Sequence, residues 1–504
     1  MSKIYPPVLA GARRPAPRSE TALAGWKVSL VLLAGYLAIA LLTRLPILGN
    51  PLVHNDEQFY LLVGSRMLDG ALPFVDIWDR KPVGLFLIYA FASAIGPYAV
   101  VQYQLLAVAA AAVTALFIRE LARLIAPAGA VWTGCAYLLF TAAFSGIGGQ
   151  SPIFYNALIA GAAVLTAQRI RRGGHRGLLV TGCLIMLIAG LAIQVKYTAV
   201  FGGVPCGLAL MWRGRRDGWM PQQLAAAAAC WTGCALLPTL VAFACYVSIG
   251  EGWTFVQANF LSICEREVEL APALRRLATS IALLAPLVLA IVIAPMLQRG
   301  PRQRTSPVTH FLSAWAGLET FGFLILGTWH DHYALPLLVP LCALSGRIFG
   351  GGQMARLCGA AVLLFGLVAS ALITRAHLHR FGGQADLDRM AALVKPHLGT
   401  GCLYIHEGDT ALYRVTGACI PTRFAFPTHL NSAKEQHALG IDTAAEMHRI
   451  IAAHPAVVVI AREPVSQPPN REARALLQQA LRRNYRLIGE TNVGVRKLRV
   501  YSAD

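Results

Sequence analysis

Two clusters of ionisable residues early in the chain have types and spacing suited to chemistry on a phosphorylated substrate. The first is His54-Asn55-Asp56-Glu57 and the second Asp79-Arg80-Lys81-Pro82. Asp56 can serve as a base or hold an acceptor, and two cations fixed by a proline can clamp a phosphate. Each cluster also has a purely structural role open to it. Asn55 or Asp56 can cap a helix, Glu57 can complement its dipole, and Arg80 and Lys81 can reach up to lipid headgroups. Lys196 is a third candidate, in the short turn Gln194-Val195-Lys196-Tyr197 between apolar segments. It either binds an anion or snorkels at an interface. His330-Asp331-His332-Tyr333 forms the fourth cluster. With His54 its histidines and aspartate can be read as metal ligands, but a spacing of two suits one helix face poorly. The reading preferred here has His332 and Tyr333 lining a cavity as hydrogen-bonding groups for a ligand, with no cofactor required and a divalent metal as the alternative. Glu319 sits inside an apolar segment, where a carboxylate is expensive unless partnered. Arg423 can reach toward the site or pair within its own domain.

The elements that must position these residues are mostly membrane helices. Hydrophobic residues make up 56% of the 504 positions and charged residues 14%, against about 25% charged in soluble domains. A span needs about 20 apolar residues. Candidate spans lie at about 26–48, 99–118, 128–146, 152–169, 177–195, 197–212, 224–249, 277–298, 308–328, 333–349 and 355–374. The fold class is therefore a polytopic α-helical membrane protein of about eleven transmembrane helices carrying a C-terminal α/β domain. Residues 1–25 read as a cytoplasmic tail, 26–378 as the bundle with a large first outer loop at 49–98, and 379–504 as an extracytoplasmic domain.

Charge gives the direction. The formal charge of +19 lies in short clusters between apolar segments, which fits anionic lipid headgroups and not nucleic acid. If the Pro-bounded stretch 82–97 does not span, Arg119 and Arg123, Arg169 to Arg176, and Arg213 to Arg216 all fall on one side. The acids Asp56, Glu57, Asp79, Glu251, Glu265, Glu267, Glu269 and Asp331 fall on the other. The positive-inside rule makes the first side cytoplasmic and puts the candidate residues outside the inner membrane.

From about residue 380 polar residues return. CLYIH (402–406), ALYRVTG (411–417), AVVVIA (456–461) and the pair within 485–502 read as strands, and 384–395, 433–452 and 471–483 as helices. Most of the eleven cysteines lie in apolar spans, where cysteine behaves as a small hydrophobe. Cys402 and Cys419 stand beside consecutive predicted strands, and either a disulfide or two buried thiols fits them.

Three motifs taken in order resemble a known superfamily. They are His54-Asn55-Asp56-Glu57 with the later Met67-Leu68-Asp69-Gly70 and Arg80-Lys81-Pro82, then Trp329-His330-Asp331-His332-Tyr333-Ala334-Leu335-Pro336, then LYRVTGACIPTRFAFP at 412–427. Together they resemble bacterial GT-C glycosyltransferases, in particular protein O-mannosyltransferase-like enzymes and lipid A aminoarabinose transferases. The latter usually have two prolines after the lysine, whereas Val83 follows Pro82 here. The resemblance implies inverting transfer of a sugar from a polyprenyl-phosphate donor to a lipid, glycan or protein acceptor. It also implies that Asp56 is the catalytic carboxylate, that Glu57 helps position acceptor or loop, and that Lys81, with Arg80, binds the lipid phosphate. A lysine in the position of Lys196 also occurs in some members. The competing reading is a transporter or lipid flippase, against which stand the absence of an inverted repeat and the long ordered loop.

Overall fold

The computed structural model describes residues 18–297 and 305–504. Most of the expected tail lies outside these residues, and helix has already begun at Arg18. The helical part opens with α1 (Arg18–Arg44), α2 (Asn55–Leu68), α3 (Val83–Ala94), α4 (Ala99–Arg123) and α5 (Ala130–Ala143). It continues with α6 (Ser151–Arg172), α7 (Leu178–Ile193), α8 (Val200–Arg216), α9 (Pro221–Ser248) and α10 (Gly252–Val256). It closes with α11 (Leu270–Leu297), α12 (Pro307–Ile325), α13 (Leu338–Leu344), α14 (Gly346–Gly350) and α15 (Gln353–Phe381).

Each apolar stretch singled out above is helical over most of its described length. Six helices among the described residues (α1, α4, α6, α9, α11 and α15) are long and apolar enough to cross a membrane. The stretch at 333–349 is not one rod but a 3-10 turn followed by α13 and α14. Pro336 and Pro340 supply no backbone N–H there, and Ser345-Gly346 breaks the remainder. At 12 residues and about 1.5 Å of rise each, α3 is too short to cross a hydrocarbon core of about 30 Å.

Small residues let the central helices approach closely. Ala107, Ala111 and Ala115 of α4, and Ala160, Ala163 and Ala167 of α6, are completely buried, as expected where association depends on tight packing. On the outside of the bundle, Leu237, Leu240 and Val241 of α9, Leu289 and Val292 of α11, and Leu364 and Leu367 of α15 are exposed. These faces suit lipid and not water. Between α1 and α4, α2 packs on α3 through Gly64, where an added Cβ would lie 2.5 Å from the Ala90 nitrogen.

The C-terminal domain runs α16 (Gln384–Val394), β1 (Leu403–Ile405), α17 (Ala411–Thr416), α18 (Pro427–Asn431), α19 (Thr443–Ala452), β2 (Val457–Ala461), α20 (Arg471–Asn484), β3 (Tyr485–Val493) and β4 (Arg496–Ala503). Its sheet has the order β1-β2-β4-β3, with β1 parallel to β2 and the other pairs antiparallel. All five residues of β2 are buried, which explains its unbroken apolar run. The segment 411–417, expected as a strand, is instead the helix α17. Gly417, at φ 69°, stops it in a left-handed C-cap, its N–H bonded to the Tyr413 carbonyl. Residues 433–452 hold a 3-10 turn and α19, and not one helix. Cys402 and Cys419 are joined by a disulfide.

Candidate active site

Helix α2 carries the first cluster. His54 occupies its N-cap and no side chain caps the helix, so neither Asn55 nor Asp56 has the capping role. The Asn55 side-chain oxygen instead accepts the Thr410 N–H of the C-terminal domain at 3.4 Å. Phe59 extends the same contact, packing its ring on Phe426 at 5.0 Å. The Trp78 N–H donates to the Arg423 carbonyl at 2.8 Å. The early loop and the C-terminal domain thus close over one space.

That space is a cavity of about 820 Å³. Asp56, Arg80, Lys81, Lys196, His332 and Tyr333, drawn from four separate parts of the chain, all line it. Much of the remaining wall is apolar, including Ile193, Val200, Phe201, Leu236, Phe260, Ile263 and Leu326. Lys196 Nζ lies over the Tyr333 ring at 4.3 Å, and Lys81 Nζ over the Tyr60 ring at 5.7 Å. These contacts support two ammonium groups without neutralising them.

The charges set one another. Burial opposes ionisation of Asp56, but Lys81, followed by His332, His54 and His330, outweighs it and holds the carboxyl below its ordinary value. Asp56 is therefore a carboxylate at neutral pH. Burial, aided by the charge of Lys81 and opposed by Asp56, pushes Lys196 down to about 7. Burial likewise lowers His54 to about 4 and His330 to about 3, so both rings are neutral. Asp79 is buried too, and one of its oxygens accepts the Arg80 N–H at 2.7 Å.

Glu57 is the one expected site residue that does not line the cavity. It points into the protein, where a Cβ on Gly148 would fall 2.2 Å from its Oε2. Burial raises it to about 8, against the opposing effects of the Gly149 backbone and the Tyr103 hydroxyl. It is thus a neutral acid at pH 7, packed where Gly148 leaves room.

Arg80 reaches the cavity but is already engaged, its two Nη atoms 3.2 and 2.5 Å from the Glu435 oxygens. Asp331 turns away from the cavity to accept the Ser145 hydroxyl and, at 2.8 Å, the His332 N–H. Its neighbours His330 and His332 stack at 5.8 Å. Among the described residues, the group of His, Cys, Asp or Glu close enough to share an ion is Cys183, Cys230 and Cys234 on α7 and α9, none of which lines the cavity. Glu319 accepts the Trp315 indole N–H at 3.0 Å, and Arg423 lies over Phe424 at 5.0 Å. Neither of these lines the cavity.

The sequence reading passed over Arg266, Asn259, His429 and Glu435, which also line it. Arg266 had an available signal. Like Lys196, it is a base on the acid-rich side of the bundle, but Glu265, Glu267 and Glu269 around it hide the exception.

No protein-family model matches the chain, and no curated protein matches it. Solved structures do. The chain is similar to ArnT from Cupriavidus metallidurans bound to undecaprenyl phosphate, with a TM-score of 0.62 and 15% identity over 94% of this chain and 98% of that one. The apo form of the same protein gives a TM-score of 0.63 at 15% identity, over 95% and 98%. At this identity the likeness is one of fold, and it extends over the bundle and the C-terminal domain together. It is the fold that the three motifs imply.

Proposed function

We propose that the chain is an inverting glycosyltransferase that moves a sugar from a polyprenyl-phosphate donor to an envelope lipid, glycan or protein. The observation that carries this reading is convergence. The ionised carboxylate Asp56 and the cations Lys81, Lys196 and Arg266 share a cavity with the Arg80–Glu435 ion pair, and its other walls are largely apolar. The fold is shared with a protein whose structure holds undecaprenyl phosphate.

In this reading the prenyl chain lies along the apolar wall and its phosphate sits among the cations. Asp56 takes the proton of the acceptor hydroxyl as its oxygen bonds to the anomeric carbon. The bond from that carbon to the phosphate oxygen breaks on the opposite face, and the electron pair leaves with the phosphate. One displacement inverts the configuration. The fixed cations stabilise the charge that develops on the leaving oxygen, and the base is placed in advance. Sidedness is part of the proposal. Helices α6 and α8 begin at the cavity and end in Arg169 to Arg172 and Arg213 to Arg216. That pattern supports a cavity at the periplasmic face.

The test is transfer from a radiolabelled polyprenyl-phosphate sugar in membranes. Asp56→Asn should lose about 10²- to 10⁴-fold in rate while still binding the lipid. Unchanged transfer removes Asp56 as the base. No transfer by the parent protein with several donors would favour a transporter or lipid flippase.

A further inference from the structure

The C-terminal domain contributes one carboxylate to the cavity, and two arginines meet it. Glu435 ends the turn Ala433–Glu435 and is 2% exposed. Arg80 addresses it with both Nη atoms and also lies over the Trp78 ring at 5.4 Å. Arg266, from the segment between α10 and α11, approaches the same carboxylate through Nε at 2.7 Å. A guanidinium has five N–H donors arranged in a rigid plane. Arg80 has turned its forked end onto Glu435, so that end is unavailable to a ligand. Arg266 is paired with Glu435 by charge, without a hydrogen bond from its Nε, and it still lines the cavity beside Tyr333. Tyr333 stands beside Arg266, and its ring also carries the Lys196 ammonium. Without Glu435, two guanidinium groups would face each other in a buried place and repel.

We propose that Glu435 is a positioning residue for the donor phosphate. It holds the Arg266 guanidinium in place beside the anion site, and Arg80 anchors Glu435 instead of binding phosphate. This rests on the function proposed above and changes the part that the motif resemblance gives to Arg80. It also gives the C-terminal domain a role in the chemistry, since Glu435 belongs to that domain.

The experiment is binding of undecaprenyl phosphate to the full-length protein in nanodiscs, read by native mass spectrometry, with thermal midpoints as a check on folding. Glu435→Gln and Arg266→Gln should each weaken binding about tenfold. The double variant should bind no worse than Arg266→Gln alone, because Glu435 acts through Arg266. Arg80→Gln should add nothing to Glu435→Gln, and Glu435→Asp should recover part of the loss if Glu435→Gln proves unstable. Deficits that multiply in the Glu435/Arg266 pair would overturn the positioning role. Deficits that multiply in the Glu435/Arg80 pair would make Arg80 a direct ligand. A parent protein that binds no polyprenyl phosphate would overturn the functional reading itself, and with it the ligand assigned to Arg266.

Discussion

At the scale of single residues, Lys196 makes a prediction about binding against pH and Glu57 one about stability. Lys196 loses its proton near pH 7 in the free protein, and a phosphate beside it would raise that value. Binding must then take up a proton above pH 7, so affinity for a polyprenyl phosphate should fall up to tenfold per pH unit there. Lys196→Gln should bind more weakly below pH 7 and lose that slope, a comparison that titration at several pH values makes directly. Glu57 keeps its proton in the folded protein up to about pH 8, whereas an exposed glutamate loses it near 4.5. The folded state therefore holds the extra proton between those values, and stability drains away as pH rises through them. Glu57→Gln should flatten the dependence of the thermal midpoint on pH from 5 to 8. Lys196 stands out in the sequence as a charge between apolar segments, and Asp56 and Lys81 as members of ionisable clusters in a long loop. Glu435 does not stand out. Its partner Arg80 lies 355 positions away, and no local pattern announces a pair formed only by the docking of two domains.

Among the elements, the approach of α2 to α3 decides how Asp56 and Lys81 face each other. Gly64 permits it by bringing backbone against backbone near Tyr89 and Ala90. Gly64→Val should force the helices apart, at a cost of about 1–3 kcal/mol. A lower thermal midpoint together with slower transfer would register this, and an unchanged midpoint would show that the contact is loose. The strongly apolar helices were readable from composition alone, because burial in lipid demands it of every position. The errors fell where local preference and tertiary packing disagree. Ala411 to Thr416 contains the β-branched and aromatic residues of a strand, yet it buries Leu412 and Tyr413 as a helix, with Tyr413 accepting the Ile405 N–H at 3.0 Å. Likewise, the stretch at 333–349 has the hydropathy of one long helix but is a 3-10 turn followed by α13 and α14.

For the whole molecule, the orientation read from arginine clusters calls for a direct test. With the free cysteines replaced by alanine and the Cys402–Cys419 pair kept, His437→Cys should react in intact cells with a membrane-impermeant maleimide. Arg215→Cys should react only after lysis. The opposite pattern would invert the bundle and move the cavity to the cytoplasmic side. One further consequence follows from the cavity's construction, with long apolar helices among its walls and the C-terminal domain for a roof. A substrate whose tail stays in lipid arrives by diffusion in a plane, so what the protein senses is surface density. Adding detergent at a fixed amount of donor would slow the reaction by dilution within the micelle phase, with no change in bulk concentration. Rates from different preparations would then be comparable only per mole fraction of donor in the lipid or detergent phase.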